Sequence, residues 1–348
     1  MKVSIITTIY KAEQDLPRLL DSMMALKSPE LEFFLIDNGS PDCCGEICKE
    51  YASRDTRFTI HTLKENIGYI GARNFGLSLV DGDFVGFCDS DDYLEPDGYD
   101  RAIDILKKYD CDLYLASWKT ISENGIKVND VPYAVGLYTK EQIKESILPN
   151  AFGPINGKGG LHGFAWKQIF RRKIASKFKF IEELKPYEDQ IFNLDVIKNC
   201  DIIYVDNTPL YNYIVNTESI TAKLAANFDV DAEWERLKFL NNEKKLRSEG
   251  DILDEAVAND FLLNIYEMLL NELKFRNTFI VAGSLIVADK QLVSEVCCRS
   301  SHNQSIVLKL VRFCLKHNCL GILSIILKGG YSLRNFITGM MVKFKKNS

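Results

Sequence analysis

The stretch Phe84-Val85-Gly86-Phe87-Cys88-Asp89-Ser90-Asp91-Asp92-Tyr93 decides how this chain is read. An apolar run of strand length ends in three carboxylates within four residues. Carboxylates crowded at a strand end repel one another and gain little from packing. A divalent cation shared with a phosphate would offset that repulsion, and hard cations such as Mg²⁺ or Mn²⁺ prefer oxygen ligands of this kind. Taken alone, the same residues could be a solvated acidic turn capping the helix that follows. The residues around them separate the two readings.

Upstream, Val3 to Ile9 is a continuous apolar run of strand length. A helical pattern over 13–26 follows, with Leu16, Leu19, Leu20 and Met23 at i, i+3, i+4 and i+7. Further strands are expected at 31–36, 58–63 and 111–117, and helices at 43–53, 69–80 and 98–109. Strands alternating with amphipathic helices imply an α/β fold, a mostly parallel Rossmann-like sheet with helices on both faces. In such sheets ligands bind beyond the carboxyl ends of the strands. Thr8 to Tyr10, Asp37 to Asp42, Asn66 to Arg73 and Asp89 to Asp92 all fall there. After Trp118 the pattern loosens. Glu123-Asn124-Gly125 suggests a hairpin turn, and the glycine-rich stretch Gly153 to Gly163, which holds His162, could close over a ligand as a lid. A helix at 188–198 and strands at 202–205 and 210–215 follow. From Asn227 onward the chain reads as helices, at 234–247 and 255–275 and in basic amphipathic pieces at 306–316 and 333–344.

The series Val3-Ser4-Ile5-Ile6 to Tyr10, Ile36-Asp37-Asn38-Gly39-Ser40-Pro41-Asp42, Asn66-Ile67-Gly68 with Gly71-Ala72-Arg73-Asn74 and Gly76, and Asp89-Ser90-Asp91-Asp92 resembles the family 2 glycosyltransferases of GT-A fold. Trp166-Lys167-Gln168-Ile169-Phe170-Arg171-Arg172 and Tyr187-Glu188-Asp189-Gln190-Ile191-Phe192 are similar to that family's later blocks. The resemblance covers about residues 1–221 and implies three regions. These are a nucleotide-sugar-binding half (1–117), an acceptor-binding half (118–226) and a helical C-terminal region (227–348).

The resemblance implies an inverting, metal-dependent transfer from a UDP-sugar to a hydroxyl of a lipid-linked or oligosaccharide acceptor, in bacterial surface-polysaccharide assembly. Asp91, supported by Asp89, would hold Mg²⁺ or Mn²⁺ as a Lewis acid against the diphosphate. Asp89 would also reach the donor ribose, with Ser90 beside it. Thr8, Tyr10 and Asp37 would hold the base, and Asn66, Gly68 and Arg73 the rest of the nucleotide. An aspartate accepting from an imide N–H favours uracil. Asp189 is the candidate general base: it opens a helix whose dipole favours a carboxylate, and the adjacent Glu188 can raise its pKa toward a useful value. Trp166, Glu188 and Asp92 would meet the acceptor. The chain departs from the family at Thr8, where Pro is usual, at Lys11, where Asn is usual, and at Ile214, where Arg often stands; Lys223 is a candidate replacement for that cation.

Composition bounds the rest. The apolar fraction is 46% and net charge −5, a globular balance. Ten cysteines occur without the paired spacing of a zinc site. The start, Met1-Lys2-Val3-Ser4-Ile5, does not read as a signal peptide, so a cytoplasmic setting is expected. From Val296 to Ser348 there are nine Lys or Arg and no acid, which leaves 34 basic against 48 acidic residues before it. A tail so biased suits peripheral attachment to the inner face of an anionic membrane. Nucleic acid is not expected, because the acidic remainder would repel phosphate. Two alternatives stay open: a sugar-phosphate nucleotidyltransferase, and a catalytically silent sugar-nucleotide-binding module.

Overall fold

The computed structural model describes residues 1–152, 163–216, 229–275, 279–300, 306–317 and 323. Most of the glycine-rich stretch, with His162, and also Lys223 and the piece at 333–344 lie outside the described residues.

The strands are β1 (Val3–Ile9), β2 (Leu31–Asp37), β3 (Phe58–Thr62), β4 (Phe84–Asp89), β5 (Tyr93–Leu94), β6 (Leu113–Ser122), β7 (Gly125–Asn129), β8 (Gly136–Thr139), β9 (Gln168–Arg171) and β10 (Ile202–Ile214). They form one sheet in the order β3-β2-β1-β4-β9-β6-β10-β5, with β7 on β6 and β8 on β10. The β1–β2, β1–β4, β2–β3 and β6–β10 pairings are parallel. Helices α1 (Leu16–Ala25), α2 (Cys44–Arg54), α3 (Gly68–Leu79) and α4 (Pro96–Lys108) cross between them, and α5 (Glu188–Lys198) follows β9. The α/β fold expected from the alternation is therefore present.

β1, β2 and β4 are buried almost throughout, because helices cover both faces and every side chain must be apolar or paired. Helix α3 lies directly on β1: a Cβ at Gly76 would stand 2.6 Å from Ile6 Cγ2. Glycine there sets how closely the helix, and the arginine it carries, approaches the sheet.

Two features depart from the sequence expectation. β9 runs antiparallel between β4 and β6, inside an otherwise parallel run. The two strands expected at 202–215 are one strand, β10, whose register against β6 slips around Pro209. Proline has no N–H to give the ladder, so the pairing yields there rather than at a loop.

The chain divides into two compact units, Met1–Ala151 with Gly160–Ser219, and Phe152–Gly159 with Ile220–Ser348. The second is helical: α6 (Val230–Arg247), α7 (Asp251–Phe275), α8 (Phe279–Ala288), α9 (Lys290–Arg299) and α10 (Ile306–Lys316). Trp234, Phe261, Leu262, Val311 and Leu315 are in its core. Lys244 is buried there and donates to Phe152 O at 2.9 Å and to Asp260 Oδ2 at 2.7 Å. The nine described cysteines are free thiols. No helix among the described residues is long and apolar enough to cross a membrane.

Candidate active site

Register assembles the first part of the site. Ile9 pairs with Asp37, and Thr8 with both Ile36 and Asp89, so the ends of β1, β2 and β4 form one edge. β1 is flanked by β2 on one side and β4 on the other, which is the switch point where open α/β sheets take ligands. Asp37 is 3% exposed, and its Oδ1 accepts from Ser40 N at 3.0 Å. Asn38 ties this turn to the next: its Nδ2 donates to Asn66 Oδ1 at 3.1 Å, and its Oδ1 accepts from Ile67 N at 3.0 Å. Asn66 Oδ1 also accepts from Gly68 N, the first residue of α3, at 2.8 Å. Gly39 has φ +65°, and a Cβ on it would meet Glu65 C at 2.7 Å, so no other residue fits between the two turns. Tyr10 is 40% exposed at the rim. An open hollow of about 420 Å³ beside it, lined by Lys11, Glu13, Asp15, Pro41 and Asp42 among others, holds none of the carboxylates described next.

At the centre is Arg73, 5% exposed. Its Nη2 donates to Asp89 Oδ1 at 3.0 Å and its Nη1 to Asp189 Oδ1 at 2.6 Å, with Glu188 Oε1 3.9 Å from Nη1. Phe180, Tyr69 and Phe87 surround the guanidinium, their ring centroids 5.0–5.9 Å away. Burial opposes its charge, but Asp189, Asp89 and Glu188 outweigh that and hold it protonated. One cation thus faces three carboxylates. Burial, and then Asp189 beside it, raises the pKa of Glu188; burial also raises that of Asp189. Asp189 Oδ2 accepts from Ala165 N at 3.0 Å, so both of its oxygens are positioned. The sequence reading had Arg73 beside the nucleotide; here it joins the acid-rich turn to Asp189.

The three turn carboxylates divide their roles. Asp92, expected at the acceptor, is 1% exposed and points inward. Its Oδ2 accepts from the Tyr211 hydroxyl at 2.8 Å and its Oδ1 from Ile214 N at 2.7 Å. The same hydroxyl accepts from Asp89 N at 3.0 Å, so Tyr211 pins the turn to β10. Within the fold Asp92 is an internal brace between the turn and β10. Asp91 is half-buried. Burial and then Asp89 push its pKa up to about 6. Its main-chain oxygen accepts from Arg18 Nη2 at 2.6 Å, a contact without a sequence signal. Among the described residues no three metal-ligating side chains cluster. The donor set nevertheless fits Mg²⁺ or Mn²⁺, because such ions are commonly bound by one or two carboxylates, with substrate phosphates and water completing the shell. Asp91 and Asp89 are the carboxylates on this turn that could hold such an ion, and burial together with the neighbouring Asp89 raises the pKa of Asp91.

Trp166 is 4% exposed, stacked on Tyr211 at 4.3 Å, Phe164 at 4.8 Å and Tyr213 at 5.9 Å. Its ring is covered by these neighbours, and Phe164, 40% exposed, is the outer member of the stack. Glu188, also expected at the acceptor, is 4% exposed, with its Oε1 3.9 Å from Arg73 Nη1. Ser90 and Thr8 are half-buried beside the acidic turn. The reading passed over Lys167, which is 1% exposed with its Nζ 4.7 Å from the Trp118 ring centroid. Burial alone brings its pKa down to about 7.

A Rossmann-like sheet with an acid-rich turn at its carboxyl edge defines the GT-A class of glycosyltransferases. Residues 4–175 match the model of glycosyl transferase family 2, and the chain belongs to that family. It is 27% identical over 266 residues to the glycosyltransferase GlyA of Streptococcus pneumoniae, a match covering 74% of this chain and 38% of GlyA. It is 29% identical over 226 residues to EpsH of Bacillus subtilis, covering 64% of this chain and 63% of EpsH. The chain thus corresponds to only part of these relatives' length. The crystal structure of Staphylococcus aureus TarS 1-349 in complex with UDP-GlcNAc superposes with a TM-score of 0.67 at 21% identity, covering 94% of this chain and 92% of that one.

Proposed function

We propose that this protein transfers a sugar from a UDP-sugar to a hydroxyl group of a lipid-linked or oligosaccharide acceptor, with inversion, in bacterial surface-polysaccharide synthesis. The observation that carries the reading is the single guanidinium of Arg73 bonded to both Asp89 and Asp189. That shared arginine supports the reading that the acid-rich turn and the candidate base flank one sugar ring. A UDP donor is supported by the likeness to TarS bound to UDP-GlcNAc.

In the proposed reaction the edge formed by Thr8, Tyr10, Asp37 and Asn66 holds the nucleotide, and Asp89 with Ser90 orients the ribose and diphosphate. Asp91 and Asp89 would hold Mg²⁺ or Mn²⁺, whose chemistry is to neutralise the departing diphosphate. Asp189 takes the proton of the attacking hydroxyl from the face opposite the leaving group. Its raised pKa suits that task, and the Ala165 N–H and Arg73 fix its orientation. Phe164 offers the exposed aromatic surface for the acceptor. The acid-free C-terminal stretch supports contact with an anionic membrane that carries the acceptor.

The test is release of UDP from a panel of UDP-sugars with a lipid-diphosphate acceptor, followed by the anomeric configuration of the product. Asp189→Asn is expected to lower kcat at least ~10²-fold with donor binding retained. Full turnover by that variant, or release of pyrophosphate in place of UDP, would overturn the reading.

A further inference from the structure

Helix α10 buries one side and carries its basic residues on the other. Val311, Cys314 and Leu315 are at most 3% exposed and face the core formed with α7 and α9. Lys309, Phe313, Lys316 and His317 are exposed, and Arg312 is half-buried at their edge, donating to Ser300 O at 2.9 Å. Positions 309, 312, 313, 316 and 317 follow the spacing of one helix face. These five residues line an open hollow of about 430 Å³.

Two observations about this face point to one kind of partner. It has no acid of its own: the sequence holds no Asp or Glu from Val296 to Ser348, and Glu295 just before is paired with Lys245 and Arg299. In its middle stands a large apolar ring, Phe313, 55% exposed, with its centroid 4.6 Å from that of His317. Cations around an exposed aromatic match the boundary of an anionic bilayer, where phosphates meet the charges and the ring enters the acyl edge. A lone ring does not give the successive stacking platforms that single-stranded nucleic acid needs.

We infer that the outer face of α10 docks on anionic lipid headgroups, Lys309, Arg312 and Lys316 meeting phosphates and Phe313 seated between them. The inference rests on the membrane contact proposed above and narrows it to five residues of one helix.

The experiment is co-sedimentation of the full chain with vesicles of phosphatidylcholine alone, or with about one-third phosphatidylglycerol, at low and high salt. The wild type is expected to bind only the anionic vesicles. Each lysine beside an anionic leaflet is worth roughly fivefold, so the neutral pair Lys309→Gln with Lys316→Gln should weaken binding about 25-fold. The reversed pair Lys309→Glu with Lys316→Glu should show about twice that effect on a logarithmic scale. Phe313→Ala should lose roughly fivefold, at high salt as well as low. Lys177→Glu, an exposed lysine of the first unit, should leave binding unchanged. Wild-type binding by both lysine pairs, an equal loss in Lys177→Glu, equal binding to neutral vesicles, or tighter retention on a single-stranded oligonucleotide would each overturn the assignment. Sedimentation needs no donor or acceptor. Absent binding with intact UDP release therefore sinks only this inference, and absent release with intact binding sinks only the transfer reading.

Discussion

Arg73 meets Asp89 and Asp189 through separate nitrogens, a span that needs the planar fork of a guanidinium rather than the point charge of an ammonium. Arg73→Lys is therefore expected to lower kcat for UDP release by about tenfold or more, with circular dichroism retained. Arg73→Met leaves three carboxylates facing one another and should cost about 3–5 kcal/mol in urea unfolding. Lys167 is the opposite case, a buried amine with no carboxylate beside it among the described residues. Its folded pKa of about 7 lies below its unfolded value, so between those two values the unfolded chain binds more protons. Stability should then rise as pH increases from about 7 toward 10. Lys167→Met should abolish that rise and stabilise the protein by about 1–3 kcal/mol at neutral pH, measured by urea unfolding across the range. Lys11 has φ 53°, where asparagine is better tolerated than lysine, and the family usually has Asn there. That departure places a mild strain at the end of β1.

Closeness of approach governs the next scale. Gly76→Ala would put a methyl into Ile6 and push α3 away from β1, costing about 1–3 kcal/mol and displacing Arg73. Calorimetry and donor titration should show a lower Tm and a weaker Kd together. Tyr211→Phe would leave an oxygen of the buried Asp92 without its donor, at a cost of about 1–3 kcal/mol, and free the acid-rich turn from β10. Much of this layer was readable in the residues themselves. β1, β2 and β4 are continuous apolar runs because both of their faces are covered, and α5 and α10 begin and end where their patterns do. β9 was not readable: Gln168 and Arg171 bound it, and its strand character comes from lying between β4 and β6. Nor could the turn reveal which of its carboxylates faces inward. Tyr211 determines that for Asp92 from 119 residues away, a relation no local pattern contains. Nor does any local pattern show that Phe164 and Tyr211 cover the Trp166 ring, whose type alone suggests a sugar platform.

At the scale of the whole molecule, ligand binding should register as stability. A donor that binds only the folded chain adds about 2.7 kcal/mol at a hundredfold excess over Kd. UDP with Mn²⁺ is therefore expected to raise Tm by several degrees in a thermal-shift assay, and chelation or Asp91→Ala to remove most of that rise. An equal shift with and without divalent ions would count against metal dependence. The bond from Arg73 to Asp189 spans 116 positions of sequence, which has a consequence for synthesis. Ribosomes extend a chain by about 5–20 residues per second, so for several seconds the arginine and Asp89 have emerged while their distant partner does not yet exist. No earlier product of translation can hold the finished pocket. The enzyme's competence is thus switched on late, by the arrival of a single turn of helix.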